Sequence, residues 1–171
     1  MNQPNSEPQP PPPRKVSISD VAVGEAPDTF KSYGLGSCLA IAVYDPRASV
    51  GGLAHAMLPT SDDAETTADL PGKYVDTAVR ALRRRTIAAG GSPSTLEAKI
   101  AGGSDMFEFE SLEDTVGQRN IATAKAELEA LDVPLVAEDV GGAHGRTVEF
   151  SLKTGALVIE TATPDLADRT L

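Results

Sequence analysis

The only thiol of the chain follows a short glycine-rich segment. Cys38 comes directly after Gly34-Leu35-Gly36-Ser37, and the apolar run at residues 39–44 that follows it is typical of a buried strand. Glycine permits backbone conformations that are closed to other residues, and it lets a substrate approach the chain closely. A thiol at the mouth of a strand, directly behind such a segment, is well placed for nucleophilic attack.

A histidine lies on the next predicted strand. Residues 39–44 and 50–58 are both β-prone, and the turn pair Asp45-Pro46 lies between them, so we expect an antiparallel hairpin. Counting outward from the turn places His55 within about two residues of direct opposition to Cys38, where cross-strand separations are about 5–8 Å. Imidazole at this distance could take the thiol proton, and a paired imidazolium would lower the thiol pKa by about one unit or more.

Two further groups are candidates for the same site. Ser32 lies on the glycine-rich approach, and its hydroxyl is a candidate to orient the imidazole or the substrate. The backbone N–H groups around Gly36, Ser37 and Cys38 are candidates to bind the substrate and to stabilise an oxyanion. Together these residues would form the active site of a cysteine hydrolase.

Other roles for these residues stay open at this point. A lone cysteine is more often a small buried apolar residue, and a lone histidine is more often structural. Gly34 and Gly36 could belong to a phosphate loop, but no G-x-x-x-x-G-K-[ST] or G-x-G-x-x-G pattern is present. Cys38, His55 and His144 lack the close spacing of zinc ligands, and His144 lies in a stretch typical of an exposed turn. We therefore expect no metal and no cofactor.

The composition limits the class of partner. A formal net charge of -10 disfavours attraction to nucleic-acid phosphates and to anionic membranes. No apolar run approaches the roughly 20 residues of a membrane-spanning helix, and no signal-peptide pattern is present. We expect a cytoplasmic protein that binds no nucleic acid and does not insert into a membrane.

The pattern of elements predicts an α+β (mixed α/β) fold. Strands are predicted at residues 16–23, 39–44, 50–58, 96–101, 133–137, 147–152 and 156–160, and amphipathic helices at residues 73–89 and 118–131. Residues 1–14 are predicted to be a disordered proline-rich tail, residues 15–162 a single domain, and residues 163–171 a flexible tail. The acidic segment at residues 59–71 is predicted to be a mobile loop beside the site.

Seven short motifs lie between the two tails. They are G-L-G-S-C at residues 34–38, Y-D-P at 44–46, G-G-L-A-H-A-M-L-P at 51–59, K-Y at 73–74, A-K-I-A-G-G at 98–103, V-G-Q-R-N at 116–120 and A-E-D-V-G-G at 137–142. In this combination the chain resembles the CheD family, the chemoreceptor glutamine deamidases of bacterial and archaeal chemotaxis.

The resemblance implies mixed β-sheets packed face to face with helices outside, and a Cys-His-Thr catalytic group. The first two members fall on Cys38 and His55, and the third, usually Thr, falls on Ser32, which keeps the hydroxyl. The implied reaction converts a glutamine of a methyl-accepting chemotaxis receptor to glutamate through a thioester, with release of ammonia. The implied location is the cytoplasm at membrane receptor arrays, with a CheC-type phosphatase as a second partner.

Two other functions are kept as alternatives. The chain could be mainly a non-catalytic regulatory partner of the CheC phosphatase in chemotaxis adaptation. It could also be a general thiol peptidase, which would need an extended peptide cleft. Release of ammonia and a change of mass at glutamine distinguish deamidation from both.

Overall fold

Two five-stranded sheets form most of the structure. The structure is a computed structural model, and it describes residues 9–62, 70–105 and 114–171. Sheet A contains, in spatial order, β1 (Arg14–Lys15), β3 (Thr29–Leu35), β8 (Arg146–Ser151), β9 (Leu157–Thr161) and β10 (Arg169–Thr170). Sheet B contains β2 (Val21–Glu25), β5 (Val50–Ala56), β4 (Leu39–Asp45), β6 (Glu97–Gly102) and β7 (Leu135–Val140). The helices are α1 (Val75–Ala88) and α2 (Val116–Ala130).

The sheets pack face to face, and both helices cover the outer face of sheet B. One set of alternate β4 residues faces sheet A: Ala40, Ala42 and Tyr44. The other set faces the helices: Leu39, Ile41 and Val43. A strand buried on both faces is apolar throughout, which explains why residues 39–44 form a continuous apolar run. The predicted α+β fold, with mixed sheets packed face to face and helices outside, is confirmed.

The predicted hairpin is also confirmed. β4 and β5 pair antiparallel from Leu39–Ala56 at the open end to Asp45–Val50 at the turn. Neither helix of the described residues has the length and apolar character to cross a membrane.

The carboxylate of Asp45 organises the hairpin turn. Its Oδ1 accepts hydrogen bonds from the N–H groups of Arg47 and Ala48 at 2.9 and 3.2 Å. Its Oδ2 accepts from the N–H of Ser92 at 2.8 Å and the hydroxyl of Thr95 at 2.6 Å. Burial by itself would raise the pKa of Asp45, but these four donors outweigh it and lower the pKa to about 2.

Asp45→Ala is expected to lower the free energy of unfolding by about 2–4 kcal/mol, because it leaves several donors without an acceptor. The contribution is full above the unfolded-chain pKa of about 3.9 and is lost as the pH falls toward 2, because folding depresses this pKa. Urea denaturation measures the change. Glu138→Ala, which removes an exposed ion pair with Lys125, is the control and should cost less than about 1 kcal/mol. Equal stabilities of the two variants would contradict the role of Asp45.

The first predicted strand, at residues 16–23, is wrong in its extent. Ser19 has a φ of 68°, a left-handed conformation that interrupts an extended strand. Val16 packs between the sheets, whereas Val21 packs on the helix side of sheet B. The chain therefore crosses from sheet A to sheet B within residues 16–23. The apolar residues that alternate along this segment belong to two different sheets.

Strand β3 is absent from the predicted strands, because Gly34 and Gly36 suggest an irregular segment before Cys38. Phe30 and Ser32 are both buried on the side that faces sheet B. Gly34 has a φ of 70°, and the pairing with β8 shifts register between Ser32 and Leu35. A buried hydroxyl and a glycine bulge hide the alternation by which a strand is recognised.

The two ends of the chain also differ from the prediction. Arg14, predicted as the last residue of the disordered tail, pairs with Phe30 in β1 and β3, while residues 1–8 lie outside the described part. Within the predicted flexible tail at residues 163–171, Arg169 pairs with Ile159, and the carbonyl of Leu171 accepts a hydrogen bond from Lys99 Nζ at 2.8 Å. The prediction failed here because backbone groups at the edge of a sheet can pair with a polar segment.

Part of the predicted acidic loop lies outside the described residues. The structure describes residues 59–62 and 70–71 but not 63–69. The position of the acidic segment at residues 59–71 beside the site stays a prediction.

Candidate active site

The imidazole of His55 lies between the two sheets. His55 pairs with Ala40, which belongs to the apolar layer between the sheets. Only 3% of the surface of His55 is exposed. Its backbone is fixed on the far side of β5, where its N–H donates to the carbonyl of Asp20 at 3.1 Å and its carbonyl accepts from Ser19 at 2.8 Å. The ring therefore points toward sheet A from a strand held on both edges.

Ser32 of sheet A meets this imidazole across the gap. Ser32 Oγ lies 2.8 Å from His55 Nδ1, and it donates its own hydrogen to the carbonyl of Val16 at 2.7 Å. Because a hydroxyl has a single hydrogen, Nδ1 must be the donor in the bond between Ser32 and His55. The neutral ring then carries its lone pair on Nε2, which has no hydrogen-bond partner among the described residues. Ser32 thus selects the tautomer that can act as a base at Nε2.

Cys38 lies in the bend that precedes β4. Extending the β4–β5 register by one pair beyond Leu39–Ala56 places Cys38 opposite Met57. Cys38 is then a diagonal neighbour of His55 on the same sheet face, where such residues are about 7–8 Å apart. The thiol is half-buried and packs against the layer between the sheets. The structure brings Cys38 and His55 to one face, as predicted, but without a hydrogen bond from the thiol to Nε2.

The electrostatic surroundings favour the neutral forms of both groups. Burial raises the pKa of the Cys38 thiol, and a hydrogen bond from its own backbone N–H only partly offsets this. Burial lowers the pKa of His55. A neutral thiol beside a neutral imidazole is therefore the resting state at neutral pH, and the lowering of the thiol pKa expected from an imidazolium is not present.

The carbonyls of the 36–38 loop (Gly36, Ser37 and Cys38) accept hydrogen bonds from the segment that follows β6 and from α2. The carbonyl of Gly36 accepts from Ser104 N at 2.9 Å and Ser104 Oγ at 2.8 Å, that of Ser37 from Asn120 Nδ2 at 2.9 Å, and that of Cys38 from Gly103 N at 2.9 Å. In a trans peptide the N–H points opposite to the C=O. The N–H groups of Ser37 and Cys38 therefore point away from these donors, and neither donates to a backbone carbonyl in the part of the chain that the structure describes.

An open cleft of about 300 Å³ leads to His55. Its lining consists of Lys15, Val16, Ser17, Ile18, Tyr33, Gly34 and His55. About half of the surface of Ile18 and of Tyr33 is exposed at this cleft. Cys38 does not line it and His55 Nε2 is buried, so the cleft borders His55 from the side of sheet A without reaching the thiol.

Asn120 is a residue of this site that was not predicted, although it is the last residue of the motif at residues 116–120. Its side chain is fully buried and contacts the loop that carries Cys38. The available signal was its spacing, because Asn120 shares a helix face with Ala124 and Leu128, where an apolar residue is expected.

His144 does not belong to this site. It lies in the bend between β7 and β8, where it is half-buried rather than exposed as predicted. Within the described residues, no three side chains of His, Cys, Asp or Glu are grouped as metal ligands would be.

A two-sheet α+β fold with a hydroxyl, an imidazole and a thiol at one end of the layer between the sheets defines a candidate thiol hydrolase. Residues 57–161 match the family model described as CheD chemotactic sensory transduction. The "Probable chemoreceptor glutamine deamidase CheD" of Geobacillus kaustophilus is 44% identical over 157 residues, which cover 90% of this chain and 95% of the relative. The "Chemoreceptor glutamine deamidase CheD" of Bacillus subtilis is 42% identical over 149 residues, with 86% and 90% covered. The chain belongs to the CheD family.

Proposed function

We propose that the protein deamidates glutamine side chains of methyl-accepting chemotaxis receptors to glutamate and releases ammonia. Its relatives are named chemoreceptor glutamine deamidases. The observation that carries the proposal is the 2.8 Å hydrogen bond between Ser32 and His55, which leaves Nε2 free to act as a base on the sheet face of the only cysteine.

In the proposed mechanism, Cys38 Sγ attacks the carbonyl carbon of the glutamine carboxamide while His55 Nε2 takes the thiol proton. The N–H groups of Ser37 and Cys38 hold the negative oxygen that develops. His55 returns the proton to the departing nitrogen, which leaves as ammonia, and a thioester remains. Water activated by His55 then hydrolyses the thioester, which gives glutamate and restores the thiol.

The resting protonation states fit a proton transfer that accompanies the attack. Since the pKa of the thiol is raised and that of His55 is lowered, a preformed thiolate would be unfavourable here. The thiol and the imidazole must also come closer than they are in this state. In the proposed mechanism the half-buried Cys38 side chain rotates toward the base when substrate binds, because catalytic contacts often tighten only at that stage.

Mass spectrometry of a receptor incubated with the protein tests the proposal. Each modified glutamine should gain about 1 Da, and one ammonia should appear for each such glutamine. The control is the protein treated with iodoacetamide, which alkylates Cys38 as the sole cysteine of the chain. Receptor fragments would indicate a thiol peptidase instead. Unchanged receptor, with no ammonia, would contradict the proposal.

The alternative is that the protein is mainly a regulatory partner of a CheC-type phosphatase. The absence of a hydrogen bond between the Cys38 thiol and His55 Nε2 supports this alternative. In that case the protein binds the phosphatase while receptor glutamines keep their mass. We expect both partners to be met in the cytoplasm at membrane receptor arrays, because the proposed substrates are receptors. A phosphatase that covers the site should slow the alkylation of Cys38.

A further inference from the structure

The side chain of Asn120 joins the two chain segments that carry Cys38 and His55. Its Nδ2 donates to the carbonyl of Ser37 at 2.9 Å and to the carbonyl of Met57 at 3.0 Å. Ser37 directly precedes Cys38, and Met57 follows His55 by two residues. One amide group therefore holds the thiol-bearing loop and the end of the imidazole-bearing strand together.

This contact lies where the backbone pairing between the two strands has ended. The last pair of the β4–β5 ladder is Leu39–Ala56, and Cys38 and Met57 would form the next. The N–H of Met57 donates instead to the carbonyl of Lys73 at 3.0 Å. Among the described residues, the amide of Asn120 is the hydrogen-bonding link between the 36–38 loop and Met57.

Helix α2 packs close to the sheet at the position of the Asn120 side-chain amide. Gly117 lies so near the chain at Gly103 that a Cβ would be 2.6 Å from the Gly103 carbonyl oxygen, so a larger residue would push the helix away. Thr115 and Gln118 form a capping box that fixes the first turn. Asn120 follows on the buried face and is fully enclosed. The position of Asn120 is therefore fixed. A residue that sets the geometry of its neighbours needs such a fixed position.

We propose that Asn120 is a positioning residue that sets the placement of Cys38 and of its backbone N–H relative to His55. The bond to the carbonyl of Ser37 holds the peptide unit whose N–H belongs to Cys38, and this N–H is one of the two donors proposed above to hold the oxyanion. The bond to Met57 fixes that peptide against the strand of His55. Asn120 itself contacts neither the thiol nor the imidazole through these bonds.

Asn120→Asp tests the proposal, because the carboxylate keeps the shape but replaces the donating NH₂ with an oxygen that faces two carbonyl oxygens. We expect the kcat of receptor deamidation to fall about 100-fold with KM changed less than about threefold, since a misplaced group costs this much. Iodoacetamide alkylation should become faster, because a released loop exposes the thiol. In Asn120→Ala, which adds no charge, the pH midpoint of alkylation should also move down, because burial holds up the pKa of this thiol. These readouts separate positioning from a general loss of stability.

Leu128→Ala is the matched control. Leu128 lies two turns further along the same buried face of α2, and its truncation destabilises the core without touching the 36–38 loop. It should lower the melting temperature while kcat and the alkylation profile stay within about twofold of the wild type. Asn120→Ala, which removes the donor without adding a charge, decides the matter if Asn120→Asp does not fold by circular dichroism.

Folded Asn120 variants that match Leu128→Ala in kcat and in alkylation profile would overturn the proposal. The kcat readout rests on the proposed function, whereas the alkylation of Cys38 does not. If the wild type leaves receptor glutamines unchanged but Asn120→Asp still alters the alkylation profile, the proposed function fails and the positioning role stands.

Discussion

Replacing Cys38 with alanine should lower the rate of receptor deamidation by about 10⁴-fold or more, as removal of a catalytic nucleophile does in well-studied hydrolases. The chain has no other cysteine that could form the thioester. Ammonia release and the mass of receptor glutamines measure the loss. Cys38→Ser should be almost as inactive, because a buried hydroxyl is much harder to deprotonate than a thiol.

The Cys38→Ala variant should keep its fold, which makes the loss interpretable. Cys38 lies in a bend outside the β4–β5 ladder and is half-buried, so removing its sulfur leaves no large enclosed cavity. Its melting temperature should stay within a few degrees of the wild type. A folded variant that retains more than about a tenth of the wild-type rate would show that Cys38 is not the nucleophile.

Replacing His55 with alanine should lower kcat/KM by about 10²- to 10⁴-fold, the usual contribution of a general base. His55→Gln is the matched control for packing, because its amide can hydrogen-bond to Ser32 but cannot take a proton. Both variants should therefore be inactive, and His55→Gln should be the more stable of the two. Substantial activity in a folded His55→Gln variant would exclude the imidazole as the base.

The pH dependence of the wild type provides a second check on His55. Because burial lowers its pKa, the base stays deprotonated until the pH falls below its ordinary value of about 6.5. The kcat/KM should therefore be level from about pH 7 to 8 and fall only at more acidic pH, and His55→Ala should lose this acid limb. An acid limb centred above pH 7 would contradict a base whose pKa is lowered by burial.

The local parts of this site were predictable from sequence because they depend on neighbouring residues. A short turn at Asp45 and two runs of β-prone residues determine a hairpin, and the hairpin register brings Cys38 and His55 to one face. Hairpin register cannot predict the contact between Ser32 and His55, because the two residues belong to different sheets. The hydrogen bond from Asn120 to Ser37 spans 83 residues, and a sequence pattern carries no information on that contact.

The predictions that failed share a physical cause. Strand β3 contains a buried serine and a bulged glycine because Ser32 contacts the imidazole and Gly34 allows the shift of register. Both features weaken the alternation that identifies a strand. The pairing of Arg169 with Ile159 depends on backbone groups, which residue types do not reveal. The hydrogen bond to His55 and backbone pairing, rather than hydrophobic pattern, determine these segments.

The bond between Ser32 and His55 crosses the layer in which the two sheets meet. Phe30 and Phe150 of sheet A and Leu53 of sheet B fill this layer, and their sizes set the gap that the bond must span. A mutation that swells or shrinks the interior would therefore alter the basicity of a ring it never touches. A change of volume at one position of this layer therefore needs an opposite change at a neighbouring position if the bond is to be kept.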